Sequence, residues 1–234
     1  MNPLLRIRER IGAVIGTSIF SLLCGITGVV LVVFVAAGQS RQARQIETAP
    51  VLDASSFAAL APGDFAVVSG TLTDNTPVAG EFVAFETQRW DVTYDSEDDE
   101  YDGDWQTVNE QWPALIIAVD GGTVRTVTAT SVNFDGSPRE VRDESTTGRM
   151  VDGVREDTVR TIGFYNGDLI TVTGDVASTG DLIPDRVFAG DRVQLVDDIR
   201  QGARVARGIG IALLIGAPLL FVMGIIGAIL GRVG

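Results

Sequence analysis

The sequence predicts a membrane protein in which two transmembrane α-helices flank a mainly β soluble domain, a small barrel or sandwich-like body with one or two short helices. Three observations carry this. Residues 11–38 and 208–231 hold no charged side chain, and thirty of the thirty-one acids lie between them. The intervening stretch breaks into short alternating runs of β-branched and aromatic residues separated by turn residues. The order is therefore a basic tail (1–10), a first helix (11–38), a linker (39–50), an acidic β-rich domain (51–200), an arginine-bearing segment (201–207) and a second helix (208–231).

The first apolar run is 28 residues long and the second 24, and about 20 suffice to cross a hydrocarbon core. Arg6, Arg8 and Arg10 precede the first run and Ala36 and Ala37 close it, as in a secretory signal peptide. A cleavable apolar region runs to only about 15 residues, so an uncleaved signal anchor is expected. Pro218 removes a backbone donor inside the second run and should kink it. Gly12 and Gly16, and again Gly227 and Gly231, stand four apart, the spacing that lets helix backbones approach closely. In an antiparallel pair the two glycine pairs share one depth, which suits an intramolecular hairpin or, alternatively, a homodimer seam. Arginines flanking the first run favour a cytoplasmic amino terminus by three to two, against Arg200, Arg204 and Arg207 before the second. The expectation is a two-pass protein of the cell membrane with both termini inside and the domain outside.

Within the loop, Asp53 should cap a short helix over residues 53–60, before the break at Pro62-Gly63. Strands are expected at residues 65–72, 81–86, 88–94, 105–110, 114–119, 123–128, 169–174 and 192–196, with a hairpin turn at Asp120-Gly121-Gly122. Residues 135–157 lack an apolar run and read as a long loop or a surface helix. An internal echo aligns Gly63-Asp64 through Gly70 with Gly167-Asp168 through Gly174. Each copy starts on a Gly-Asp turn and reaches a glycine where a strand could bend, a design suited to closing a small barrel.

This order of elements resembles the GIDE, or beside-a-membrane (BAM), domain of the mitochondrial E3 ubiquitin ligases and their prokaryotic relatives. The resemblance rests on an amino-terminal span, Pro62-Gly63-Asp64 through Ser69-Gly70, Phe82-Val83-Ala84-Phe85-Glu86, Trp105-Gln106-Thr107-Val108, the Asp120-Gly121-Gly122 hairpin, Gly167-Asp168 through Gly174, and a closing span. It implies a domain on the noncytosolic side, and in the ligases a RING after the second span. One Cys and no His cannot supply the roughly eight ligands of a RING.

The same counts exclude disulfide frameworks, Cys/His zinc sites, Ser-His-Asp triads and cysteine nucleophiles with a histidine base. Paired carboxylates such as Glu156-Asp157 and Asp197-Asp198 are expected by chance in so acidic a domain, and no phosphate-binding glycine loop follows a strand. No catalytic residue and no cofactor is assigned, and the protein is read as a non-enzyme. Asp98, Glu100, Asp102 and Asp104, with Gly103 between, resemble part of an EF-hand loop and are the calcium candidates; a solvated acidic hairpin tip is the simpler reading. Trp90, Trp105 and Trp112 are expected to pack the sheet rather than form a ligand platform. The leading function is a non-catalytic membrane-anchored domain that binds another membrane protein or a second copy in a bilayer. The alternatives are a ligase relative whose RING another chain supplies, and a calcium-dependent extracellular domain.

Thirty acids and ten Arg in residues 45–200 leave a net charge of −20, which excludes a nucleic-acid binder acting through a basic face. All eighteen basic residues are Arg. Such a domain repels itself in dilute buffer, whereas near 1 M salt the Debye length falls to about 3 Å and screens most of the repulsion. A strongly saline environment follows as an expectation. The melting temperature of the β domain should fall steadily as salt is lowered from about 1 M; a flat melting temperature would contradict it.

Overall fold

The computed structural model describes the backbone of residues 3–96 and 99–230, and the side chains of residues 16–96 and 99–226. The chain divides into two compact units, residues 46–195 and residues 1–45 with 196–234.

The helical unit is built on two long apolar helices. The first runs as α1 (Pro3–Val30), a π-helical turn (Leu31–Ala36) and α2 (Ala37–Thr48). The second, α4 (Arg192–Leu230), is continuous through Pro218. Both are long and apolar enough to cross a membrane. Their pairing is antiparallel and set by small residues. A Cβ built on Gly28 would lie 2.8 Å from the Gly210 carbonyl oxygen, and one on Gly210 would lie 2.7 Å from Val32 Cγ2. On α4 the seam residues Val196, Ala203, Gly210, Ala217 and Gly224 recur every seven positions, and the first four are buried. On the partner helix Ser21, Gly28, Ala36 and Ala43 are buried, seven apart except for one step of eight. The extra residue falls inside the π-helical turn, which takes in one more residue per turn and keeps the seam on one face.

Of the four glycines singled out by spacing, only Gly16 lies among residues whose side chains are described. Among the described residues, none lies within 4 Å of a Cβ built on Gly16. Gly12 and Gly227 lie among residues whose side-chain surroundings are not described, and Gly231 lies outside the described residues.

The β unit opens with α3 (Ala54–Ala58), where Asp53 and Ser56 form a reciprocal cap: Ser56 N–H donates to Asp53 Oδ1 at 2.7 Å and Asp53 N–H to Ser56 Oγ at 2.9 Å. The Ser56 backbone donor, followed by the Ser56 and Ser55 hydroxyls, holds the Asp53 carboxyl down at about 2. The strands follow as β1 (Phe65–Leu72), β2 (Ala84–Asp95), β3 (Glu100–Gln111), β4 (Ile116–Val119), β5 (Gly122–Arg125), β6 (Asn133–Gly136), β7 (Arg139–Asp143), β8 (Met150–Val151), β9 (Val154–Arg155), β10 (Val159–Phe164), β11 (Leu169–Val176) and β12 (Leu182–Ala189). They form a six-stranded sheet ordered β5-β4-β1-β11-β12-β6, a four-stranded sheet ordered β3-β2-β10-β7, and the β8-β9 ribbon.

The echo explains the centre of the larger sheet. β1 and β11 pair antiparallel with Val68 opposite Val172, positions equivalent in the two copies. A local two-fold therefore passes between them, and the flanking bonds obey it. Gly63 N–H donates to the Val176 carbonyl and Gly167 N–H to the Leu72 carbonyl, both at 2.8 Å. In each Gly-Asp turn the aspartate accepts from the backbone three residues earlier, Asp64 from Ala61 and Asp168 from Tyr165, again both at 2.8 Å. Gly70 and Gly174 sit where a neighbouring strand presses in: a Cβ would fall 2.2 Å from the Ala118 oxygen and 1.8 Å from the Ile183 oxygen.

The two bent strands do not close a barrel. They share the middle of one open sheet; β6 takes the edge of β12 at Arg186 to Ala189, and Thr126 past β5 reaches Leu182 by a single bridge. The core beneath gathers Phe57, Val68, Leu72, Trp112, Phe164, Val172 and Leu182. Asn75, 8% exposed, stitches three loops together, accepting from Ile116 N–H at 2.7 Å and donating to the Thr73 and Ile116 carbonyls at 3.0 Å.

Other expectations change. Residues 81–86 and 88–94 contribute to one strand, β2, whose pairing with β3 shifts between Thr87 and Gln88. Residues 192–196 start α4 instead of forming a strand, because Asp191 and Gln194 cap its first turn reciprocally, at 2.8 and 2.9 Å. Residues 135–157 are neither a long loop nor a helix: they supply β7, β8, β9 and the second half of β6, held by pairing rather than by an apolar run.

If the seam is the small-residue one, Gly210→Leu in the detergent-solubilised full chain lowers unfolding stability by about 1–3 kcal/mol, and Gly16→Leu changes it by less than about 0.5 kcal/mol. Equal losses would return the contact to the spacing-based pair.

Candidate interaction surface

The four-stranded sheet presents the most developed cluster of functional side-chain types. In the β2–β3 hairpin, Trp90 faces Trp105 and Tyr94 faces Tyr101, with ring centroids 5.1 and 4.9 Å apart. Gly103 makes room for this, since a Cβ there would lie 2.2 Å from the Trp90 ring, which is 7% exposed. Trp105 stays half-buried, with the Arg160 guanidinium 4.1 Å and that of Arg142 5.7 Å from its ring centroid.

A polar ladder runs beside the stack across all four strands. Thr107 Oγ1 donates to Glu86, Gln88 donates to Glu86 at 2.7 Å, and Arg160 Nε donates to Gln88 Oε1 at 2.7 Å. Glu140 then stands 4.0 Å from Arg160 and accepts from Arg142 at 2.7 Å. Burial draws the Arg160 guanidinium below its ordinary range, Glu140 opposes that, and Arg142 adds to it. Two more arginines stack nearby: Arg149 over Tyr101 at 3.6 Å, and Arg139 over Tyr165 at 4.9 Å. Arg139 also forks onto Asp168 with bonds of 2.7 to 3.0 Å, which raises its already high pKa.

This surface is open. β7 is exposed throughout and β3 along most of its length. Of the ten large hydrophobic side chains described as exposed in residues 46–195, five lie on these strands or the adjoining ribbon: Tyr94, Tyr101, Val108, Val141 and Met150. Aromatic and arginine side chains of limited mobility are what protein interfaces favour at their centres. Sequence reasoning missed the arrangement, because Arg139, Arg142, Arg149 and Arg160 are scattered in sequence and only the strand pairing lines them up.

The calcium candidates fall differently. Glu100, Asp102 and Asp104 occupy alternate positions of β3, opposite Asp95, Thr93 and Asp91, and Asp98 lies outside the described residues. An extended strand spaces such residues by about 7 Å along its axis instead of curling them round an ion. No group of three metal-ligating side chains occurs among the described residues. Trp112 packs in the core against Phe134 and Phe164 and donates its indole N–H to Glu110 at 2.9 Å.

No protein-family model matches the chain, and neither the curated proteins nor the solved structures give a match.

Proposed function

We propose that this is a two-pass protein of the cell membrane whose acidic β domain, outside the cell, binds a second membrane protein or another copy of itself through the arginine–aromatic face of the four-stranded sheet, without chemistry of its own. The observation that carries the reading is the stacking of Arg160 and Arg142 on Trp105, continued by a hydrogen-bonded ladder on strands of which β7 is exposed throughout and β3 along most of its length. Two long apolar helices support the anchoring, and the arginines flanking the first support the orientation. The resemblance to beside-a-membrane domains offers a second reading of the same face, in which the partner is the chain that carries the RING.

The full chain purified from its native membranes should bring with it one stoichiometric partner, or migrate as an oligomer. Trp105→Ala should abolish that association while costing only about 1 kcal/mol of stability, whereas Trp112→Ala should cost about 3–5 kcal/mol. Arg125→Ala, an exposed arginine of the other sheet, should leave the association intact. A free monomer, or an association indifferent to Trp105, contradicts the proposal.

A further inference from the structure

The middle of the four-stranded sheet is crossed by the β8–β9 ribbon. β7 and β10 are antiparallel neighbours with Asp143 opposite Val159, yet residues 144–158 join them where a hairpin turn needs only about two to five residues. The excursion carries the ribbon to β3: β8 packs beside that strand, and the Arg149 guanidinium stands 3.6 Å from the centre of the Tyr101 ring. With the strands ordered β3-β2-β10-β7, a segment that leaves between β10 and β7 and arrives at β3 passes over β2. Val151 and Val154, paired across the ribbon, are half-buried, whereas the other pair, Met150 and Arg155, is exposed. The ribbon therefore has one apolar face, and that face is turned inward.

Trp90 stands on β2, in the ribbon's path. It is 7% exposed, although Tyr94, four residues further along the same face of the strand, is 52% exposed. Its indole N–H is buried without an acceptor, whereas that of Trp112 donates to Glu110 at 2.9 Å. A donor shut away from water and left unpaired is a standing cost of the closed arrangement. What holds the ribbon down is slight. Its root is fixed by two backbone bonds, Asp157 N–H to the Trp90 carbonyl at 2.9 Å and Trp90 N–H to the Thr158 carbonyl at 2.8 Å, and by the Arg89–Asp157 pair at 3.8 Å. Beyond the root, the ties among the described residues are Arg149 on Tyr101 and the apolar Val151–Val154 face. The Glu156 N–H bond to the Arg149 carbonyl at 2.8 Å and the Arg149 N–H bond to Glu156 Oε2 at 3.3 Å close on the ribbon itself.

We propose that the β8–β9 ribbon is a displaceable strap over the aromatic row of the interaction surface, and that a docking partner takes its place and supplies the acceptor that Trp90 lacks. The partner's part in this rests on the function proposed above; the strap itself does not. Opening gives up one stacked guanidinium and the partial burial of two valines, and it releases the Trp90 N–H to water or to the partner. Segments held by so few contacts beyond their own turns are those that open locally.

The test follows indole N–H exchange by NMR in the detergent-solubilised full chain with isotope-labelled tryptophan. Trp90→Phe assigns the signal, and the hydrogen-bonded Trp112 is the internal reference. Exchange through local opening scales with the open population, so Arg149→Ala should speed it at Trp90 about two- to fivefold and at Trp112 by less than about twofold. Val154→Ser, which leaves Arg149 in place, should act in the same direction. Arg155→Ala, on the ribbon's outward face, should leave both signals within about twofold. In the Arg149→Ala chain, association with the partner or second copy should tighten about two- to fivefold, because the competent state is more populated. Unchanged exchange at Trp90 in both ribbon variants, or equal acceleration at Trp112, overturns the strap. Faster exchange with weaker association would make the ribbon part of the docking surface and overturn its closing role. If the chain associates with nothing, the interaction reading fails by itself, and exchange at Trp90 still decides the strap.

Discussion

The close approach of two backbones at Gly28 and Gly210 is the contact on which the helical unit depends. Apolar helices in an apolar medium gain nothing from hydrophobic burial against each other, so their pairing rests on van der Waals contact, and contact needs small residues. The chain supplies them every seven positions on one helix. On the other it needs a π-helical turn to keep step, an irregularity that would be unexplained if the helix stood alone. Antiparallel pairing then fixes which ends meet: the arginines of α2 and the early part of α4 surround one cavity because the seam aligns the helices.

The β unit solves a different problem. A domain with a charge of −20 must bury enough apolar surface while most of its sequence is polar. It does so by concentrating burial in the β1–β11 ladder, where β11 is buried at six of its eight positions, and by leaving the four-stranded sheet polar. The repeated Gly-Asp turn with its later glycine is the device. The turn starts each strand, its aspartate satisfies a backbone donor, and the glycine admits a neighbouring strand's carbonyl. The polar sheet keeps its arginines in place by aromatic rings and carboxylates, which on the proposed reading lowers the entropy they would lose on binding a partner.

Much of this was legible in the sequence, and what was not has physical causes. The two helices, the Asp53 cap, β1 and the β4–β5 hairpin follow from local rules that tertiary context did not override. The echo was visible too, but local periodicity does not say whether two similar strands sit apart in a barrel or side by side, and here they pair with each other. β7 was hidden because a strand exposed on both faces loses the alternation that marks a half-buried strand, and β8 and β9, two residues each, are too short to show it. The start of α4 was misread since Arg192, Val193 and Val196 look strand-like until the Asp191–Gln194 cap is weighed against them. The interaction surface and the arginine cavity are products of pairing across long sequence separations, from Arg44 to Arg200 in one case and from Trp105 to Arg160 in the other. Glycine spacing alone did not point to Gly28 and Gly210, because which face of a helix meets its partner depends on the whole seam, and the π-helical turn shifts it.

The central claim is that one chain folds its two apolar helices into an antiparallel pair along this seam. A Cβ on Gly25 would stand 4.0 Å from the Cβ of Ala217, inside the roughly 3.5–4.5 Å window for a disulfide. In a Cys24→Ser background, the full chain carrying Gly25→Cys and Ala217→Cys should oxidise quantitatively to an intramolecular disulfide in native membranes, seen as a faster-migrating monomer that reverts on reduction. Cross-links only between chains, or no cross-link under the same oxidation, would contradict it.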